Sequence, residues 1–149
     1  MTEAYLHRVQ YYETDLMGVA HHSNYIRWME EARIALMDSL GWPYRQMEAE
    51  NIFSPVKAVS CEFRRPCTFG DVIRVGLRVE AFNGVVLRMG YDMRKADTGE
   101  QVCTGSSEHV FLDREGHFVR LKRRLPEFCA ALEKLCGENA PEGGAPQER

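Results

Sequence analysis

The sequence predicts an α+β domain in which an antiparallel sheet of about five to six strands wraps around one long helix. Three observations carry that prediction. Apolar residues recur at helical spacing once, from Tyr25 to Leu40. From Val56 onward the apolar period drops to two and holds through successive segments. Asn83-Gly84, Asp97-Thr98-Gly99 and Asp113-Arg114-Glu115-Gly116 then mark tight turns among those segments.

The elements follow in chain order. A short strand is expected over Tyr5–Tyr12, leading into a polar loop through Glu13, Thr14 and Asp15. The helix comes next, with Ser23 or Asn24 as its N-terminal cap and Tyr25, Trp28, Met29, Ala32, Leu36 and Leu40 along one stripe. Ile26, Ile34 and Met37 lie off the stripe, so the helix reads as apolar around much of its girth and wrapped by its neighbours. Gly41 and Pro43 stop it. Strands near 56–64, 72–82, 85–95, 101–112 and 117–121 form an antiparallel meander, each with one buried and one wetter face. A final helix over about Pro126–Leu135 closes the domain. A sheet curled around one helix leaves edges and part of its concave face to a partner, so a homodimer or homotetramer is expected.

The chain of 149 residues suits a single globular domain that needs neither disulfide nor metal for stability. Residues 137–149 contain five Gly or Pro and nothing larger than Ala to bury, and read as a disordered tail behind a domain over 1–136. The net charge is −3, of which the tail contributes −2 through three Glu and one Arg, leaving −1 on the body. This lacks the cationic excess that a nucleic-acid binder needs. Five cysteines, none in a CxxC pair, argue against a disulfide framework or zinc cage and read as small buried hydrophobes. No apolar run is long enough for a leader or a membrane span, so no membrane insertion is expected and the default address is the cytoplasm.

The segment Tyr12-Glu13-Thr14-Asp15-Leu16-Met17-Gly18-Val19-Ala20-His21-His22-Ser23-Asn24-Tyr25 is the richest in chemistry. It puts a carboxylate seven residues before a His, across a Gly, with the His where a helix begins. That pairs a base or nucleophile with an electropositive helix start able to hold a developing oxyanion, parts that a reaction at an acyl carbonyl would use. By spacing alone a second account stands beside it: Asp15 organises its loop, Gly18 makes a turn and His22 caps the helix. Glu13 is expected to face solvent, pair with a neighbouring cation or support Asp15. Glu30, Glu31 and Arg33 read as an exposed helix face. Tyr25 and Trp28 read as core. Adjacent His21 and His22 do not point to one ion, and no metal is expected.

Tyr12-Glu13-Thr14-Asp15-x-x-Gly18-Val19-x-x-His22-x-Asn24-Tyr25, continuing into Trp28-x-Glu30-x-Ala32-Arg33, resembles the signature of hotdog-fold acyl-CoA thioesterases of the 4-hydroxybenzoyl-CoA thioesterase and YbgC-like group. Phe63-Arg64-Arg65-Pro66-x-x-Phe69-Gly70-Asp71 is similar to that group's second recurrent stretch, and the likeness spans about residues 5–126. The resemblance implies that Asp15 attacks the thioester carbonyl or activates water. It implies that the backbone N–H of His22 polarises the carbonyl, its imidazole orienting water or thiolate at most in addition. It further implies that Gly18 lets the loop pass close to the acyl group, with Val19 and Tyr25 lining that group. No cofactor is implied, coenzyme A being part of the substrate.

The hairpin Phe82-Asn83-Gly84, where relatives can gather cations for the coenzyme A phosphates, has none. Arg120, Lys122, Arg123 and Arg124 form the densest basic run and are the first candidates for that grip, with Arg64 and Arg65 a second set. The acyl group is not legible, and an acyl carrier protein could replace coenzyme A. Two further alternatives are a hotdog hydratase or dehydratase, which lacks support because no His-Phe-Pro-Gly-like segment is present, and a non-catalytic acyl-CoA-binding protein.

Overall fold

A computed structural model describes residues 4–138. Nine elements follow in order: β1 (Tyr5–Arg8), α1 (Ser23–Ser39), α2 (Tyr44–Ala49), β2 (Val56–Phe63), β3 (Val72–Phe82), β4 (Leu87–Lys95), β5 (Gln101–His109), α3 (Leu121–Arg124) and α4 (Pro126–Glu138). A single 3-10 turn over Tyr11–Glu13 sits between β1 and α1. The expected first strand therefore ends at Arg8, and its second half is this turn.

The five strands are antiparallel in the order β1-β3-β4-β5-β2. Only β3, β4 and β5 form a meander; β2 crosses to the far side and pairs with β5, Val59 opposite Ser107 and Phe63 opposite Cys103. The expected strand over 117–121 is absent. Leu112 and Phe118 make one isolated bridge there, and Leu121 already begins α3. Asn83-Gly84 does form the β3–β4 turn: Asn83 Oδ1 accepts from the N–H groups of Val85 and Val86, at 2.9 and 2.7 Å.

The sheet curls over α1, which touches β1 and β2 at its two margins and β3 between them. Tyr25, Trp28, Met29, Ala32, Leu36 and Met37 are buried on the helix face turned to the sheet. Each large side chain there contributes about 1.5–3 kcal/mol by leaving water. Gly105 of β5 sets the closeness of this packing, since a Cβ there would stand 2.5 Å from Met29 Cε and from Ser60 O. The helix is nevertheless not wrapped on all sides, because Ile26 and Ile34 are exposed. Nor does β2 bury a face within the chain: Val56, Val59 and Phe63 are all exposed along an unpaired edge. α4 packs against β3 and runs through Gly137 to Glu138, two residues beyond the expected domain boundary. The remaining expected tail, residues 139–149, lies outside the described residues. No helix among the described residues is long and apolar enough to cross a membrane.

Candidate active site

The loop between β1 and α1 is sewn to the chain at both ends. Val9 N–H donates to Asp71 O at 2.8 Å and Gly70 N–H to Val9 O at 3.0 Å, fixing its start beside the β2–β3 connection. Ala20 N–H donates to Cys67 O at 2.8 Å and fixes its end there too. Thr14 and Ala20 pair as an isolated bridge, so the segment between them projects as a closed loop.

Asp15 opens that loop. Its carboxylate Oδ1 accepts from Met17 N–H at 2.8 Å, its backbone O from Gly18 N–H at 2.9 Å, and its own N–H donates to Val19 O at 2.9 Å. Gly18 closes the turn at φ +79°, a left-handed conformation that L side chains adopt at a cost. Asp15 is half-buried, whereas Leu16, Met17 and Gly18 stand in solvent. Asp15 faces an open groove of about 810 Å³ shared with Tyr12, His21, Ser23, Asn24 and Arg27.

The start of α1 differs from expectation. His22 holds the cap position, and neither Ser23 nor Asn24 caps the helix. Ser23 Oγ lies 2.8 Å from His21 Nδ1, and Asn24 Nδ2 donates to Glu13 O at 2.8 Å and to His21 O at 3.2 Å. Several N–H groups expected to be open are consumed: Ser23 N–H by His21 Nδ1, Asn24 N–H by His21 O and Tyr25 N–H by His22 O. The His22 N–H makes no hydrogen bond to the described residues. The His22 ring is exposed, 4.1 Å from the His21 ring and 6.3 Å from that of Phe63. Tyr25 is buried beneath, its hydroxyl 3.3 Å from Cys67 Sγ, and burial followed by that thiol pushes its ionisation well up. That keeps Tyr25 neutral, and it does not line the groove that Asp15 faces.

Glu13 is neither exposed nor loosely paired. It is 5% exposed, and three donors converge on its carboxylate: Gln10 N–H at 2.8 Å and His7 Nε2 at 2.7 Å on Oε1, and Trp28 Nε1 at 2.8 Å on Oε2. Burial pushes its pKa up, but the donors from Gln10, His7 and Trp28 outweigh burial and hold it below the ordinary carboxylate value. His7 Nδ1 lies 2.8 Å from Glu31 Oε2, and Glu31 keeps a part-exposed side chain on the face expected for it. Arg33 leaves that face. It is 6% exposed and donates to Tyr91 Oη at 3.1 Å; Tyr91 Oη lies 2.6 Å from Ser107 Oγ, and Ser107 Oγ 2.7 Å from His109 Nε2.

The predicted residues therefore divide. Asp15, Gly18, Val19, His22 and Tyr25 share the β1–α1 corner beside the start of β3, where Val19 pairs with Thr68. Arg120, Lys122, Arg123 and Arg124 do not. Lys122 lies against Gly84, past the opposite end of β3, an 11-residue strand that spans roughly 35 Å. Arg124 donates to Glu50 O at 2.6 Å and Lys122 pairs with Glu133. Arg64 and Arg65 stand at the Asp15 end, immediately after β2. Among the described residues no group of three His, Cys, Asp or Glu side chains is placed to hold a metal.

An antiparallel sheet curled over one long helix is the hotdog architecture of the thioester hydrolases. The family described as the Thioesterase-like superfamily matches residues 9–134, and the chain belongs to it. It is 33% identical over 127 residues to YneP of Bacillus subtilis (strain 168), provisionally named an acyl-CoA thioesterase, which covers 85% of this chain and 91% of YneP. The acyl-CoA thioester hydrolase YbgC of Escherichia coli O157:H7 is 25% identical over 80 residues, 54% of this chain and 60% of YbgC. The crystal structure of a DHNA-CoA thioesterase from Staphylococcus aureus superposes with a TM-score of 0.88 at 29% identity, covering 96% of this chain and 95% of that one.

Proposed function

We propose that the protein hydrolyses an acyl-CoA thioester to a carboxylic acid and free coenzyme A, with Asp15 as nucleophile or general base and the His22 N–H as oxyanion donor. One observation carries the mechanism: the loop that presents the Asp15 carboxylate is bonded to the start of α1, where the His22 N–H alone among the first N–H groups described above lacks a partner among the described residues. Attack at a thioester carbonyl needs these two functions and no cofactor. The named activities of the relatives support the same chemistry.

The site as one chain forms it is an open groove, and β2 leaves Phe63 uncovered beside the start of α1 and Val59 and Val56 uncovered further along the same edge. A second copy paired along β2 would cover these residues and wall the acyl group, so the working form is a homodimer or a dimer of dimers. The basic run at Arg120, Lys122, Arg123 and Arg124 can then grip the phosphates only for the site of a partner subunit, since in its own chain it lies a strand length away.

A panel of short, long and aromatic acyl-CoAs, followed by thiol release, tests the activity and finds the acyl group. Asp15→Asn should retain the fold and lower kcat by about 10²–10⁴-fold on the best substrate, with KM changed much less. Near-parental kcat would sink the mechanism.

A further inference from the structure

The proposed chemistry leaves the buried acid two residues ahead of Asp15 without a task. Its contacts suggest one. The Glu13 side chain fastens to β1 through His7, to the 3-10 turn through Gln10 N–H and to the body of α1 through Trp28. Its backbone O accepts from His21 N–H at 2.8 Å and from Asn24 Nδ2 at 2.8 Å, which fastens the same residue to the first turn of α1. Glu13 thus sits at the base of the closed loop from Thr14 to Ala20 and is bonded to β1, the 3-10 turn and α1, while Val9, Val19 and Ala20 tie the loop to the β2–β3 connection. The tip beyond it, Leu16 to Gly18, is fully in solvent and brings no packing of its own.

We propose that Glu13 is the positioning residue of the site, clamping the base of the Asp15 loop to β1 and α1 so that the Asp15 carboxylate is held in register with the helix start. The proposal rests on the catalytic role of Asp15 given above. The clamp demands a carboxylate. Three donors meet two acceptor oxygens, and an amide of the same shape offers one acceptor and one NH₂. Such an amide would keep its oxygen towards Gln10 and His7, where two donors meet it, and its NH₂ would then oppose the Trp28 N–H. The base must then shift, and a displacement of about 1 Å at a reacting group can cost on the order of 10²-fold in rate.

The test uses the full chain and one acyl-CoA that the parent hydrolyses. Glu13→Gln should lower kcat by about 10–100-fold with KM within about threefold, while circular dichroism shows a folded protein at the assay temperature. In the Asp15→Asn background the same change should cost less than about threefold more, because it acts through Asp15. Adding Trp28→Phe to Glu13→Gln removes the opposing N–H and should restore kcat at least about threefold. Parental kcat in Glu13→Gln, full additivity with Asp15→Asn, or no restoration by Trp28→Phe would each overturn the proposal. Parental kcat in Asp15→Asn would instead overturn the catalytic role of Asp15, and this proposal with it. Should Glu13→Gln not fold, Asn24→Ala leaves the Glu13 carboxylate intact, removes the donor shared by the Glu13 and His21 carbonyls, and should still lower kcat about threefold or more at constant KM; an unchanged kcat there overturns the proposal.

Discussion

Two polar clusters are buried along α1, one at its start around Glu13 and one nearly three turns further on around Arg33, and they are built on opposite plans. At the first, an acid is taken out of water and kept charged by three N–H donors, with the Glu31 carboxylate on the far side of the His7 ring. At the second, a guanidinium is taken out of water with no ion pair to any described residue; its Nε has no partner, and Tyr91, Ser107 and His109 continue the chain as neutral groups. The His109 ring is kept neutral by burial and then by the Arg33 charge, which together pull its pKa down to about 4. The first cluster ends in a loop that reaches solvent, and the second ends inside the helix–sheet interface. The Glu13 carboxylate is met at both of its oxygens, whereas the Arg33 guanidinium keeps a spare donor at Nε.

Acid separates the two clusters most strongly. His109 has a lower pKa folded than unfolded, so the unfolded chain binds the extra proton and stability falls as pH drops from about 6.5 towards 4. The loss approaches about 3 kcal/mol by pH 4, and His109→Gln should flatten it in urea melts taken across that window. Glu13, also lowered, loses its contribution only below the ordinary carboxylate range. Hydrogen exchange at pH 5 should therefore find β5 amides less protected while the β1–α1 corner holds. Equal loss at both would erase the distinction.

Single substitutions give the next effect. Glu13→Gln should destabilise by about 1–3 kcal/mol, because buried donors lose their acceptor. Arg33→Met removes a charge that has no ionic partner and should leave the melting temperature level or raise it. If both lowered it alike, the two plans would not differ in energy. The smallest effect is at the loop tip. Gly18→Ala meets no atom within 4 Å, so it should cost about 1–2 kcal/mol of backbone strain alone, readable as a small shift in melting temperature.

How far the sequence displayed this arrangement varies by element. α1, β3 and β4 follow from apolar period, and the Asn83-Gly84 turn follows from residues that tolerate its geometry. β2 is a strand by the same period, but period fixes which side chains share a face and not which strand lies alongside, so its pairing with β5 was not legible. α2 has six residues, too few for a helical repeat to register. Asp15, Gly18 and His22 stood out because an acid, a Gly and a His before a helix combine by type. Glu13 did not, since a Glu in a polar loop carries no local mark of burial. One signal existed: a Trp at a core position needs an acceptor for its indole N–H, and the Trp28 stripe position implied one nearby. Arg33 was hidden by its run with Glu30 and Glu31, which reads as a solvated face.

The pairing of β2 with β5 also orders events during synthesis. β2 is complete at Phe63, yet β5, the strand it pairs with among the described residues, ends at His109, 46 residues later. At ordinary ribosomal speeds the interval is on the order of 2–9 s. During it α1 has emerged with an apolar face and no finished sheet to lie on, and Val56, Val59 and Phe63 are offered to whatever is near. The strand made second is installed last, so a nascent chain of this protein depends most on chaperones before β5 arrives, and truncations that stop short of Gln101 should aggregate rather than fold in part.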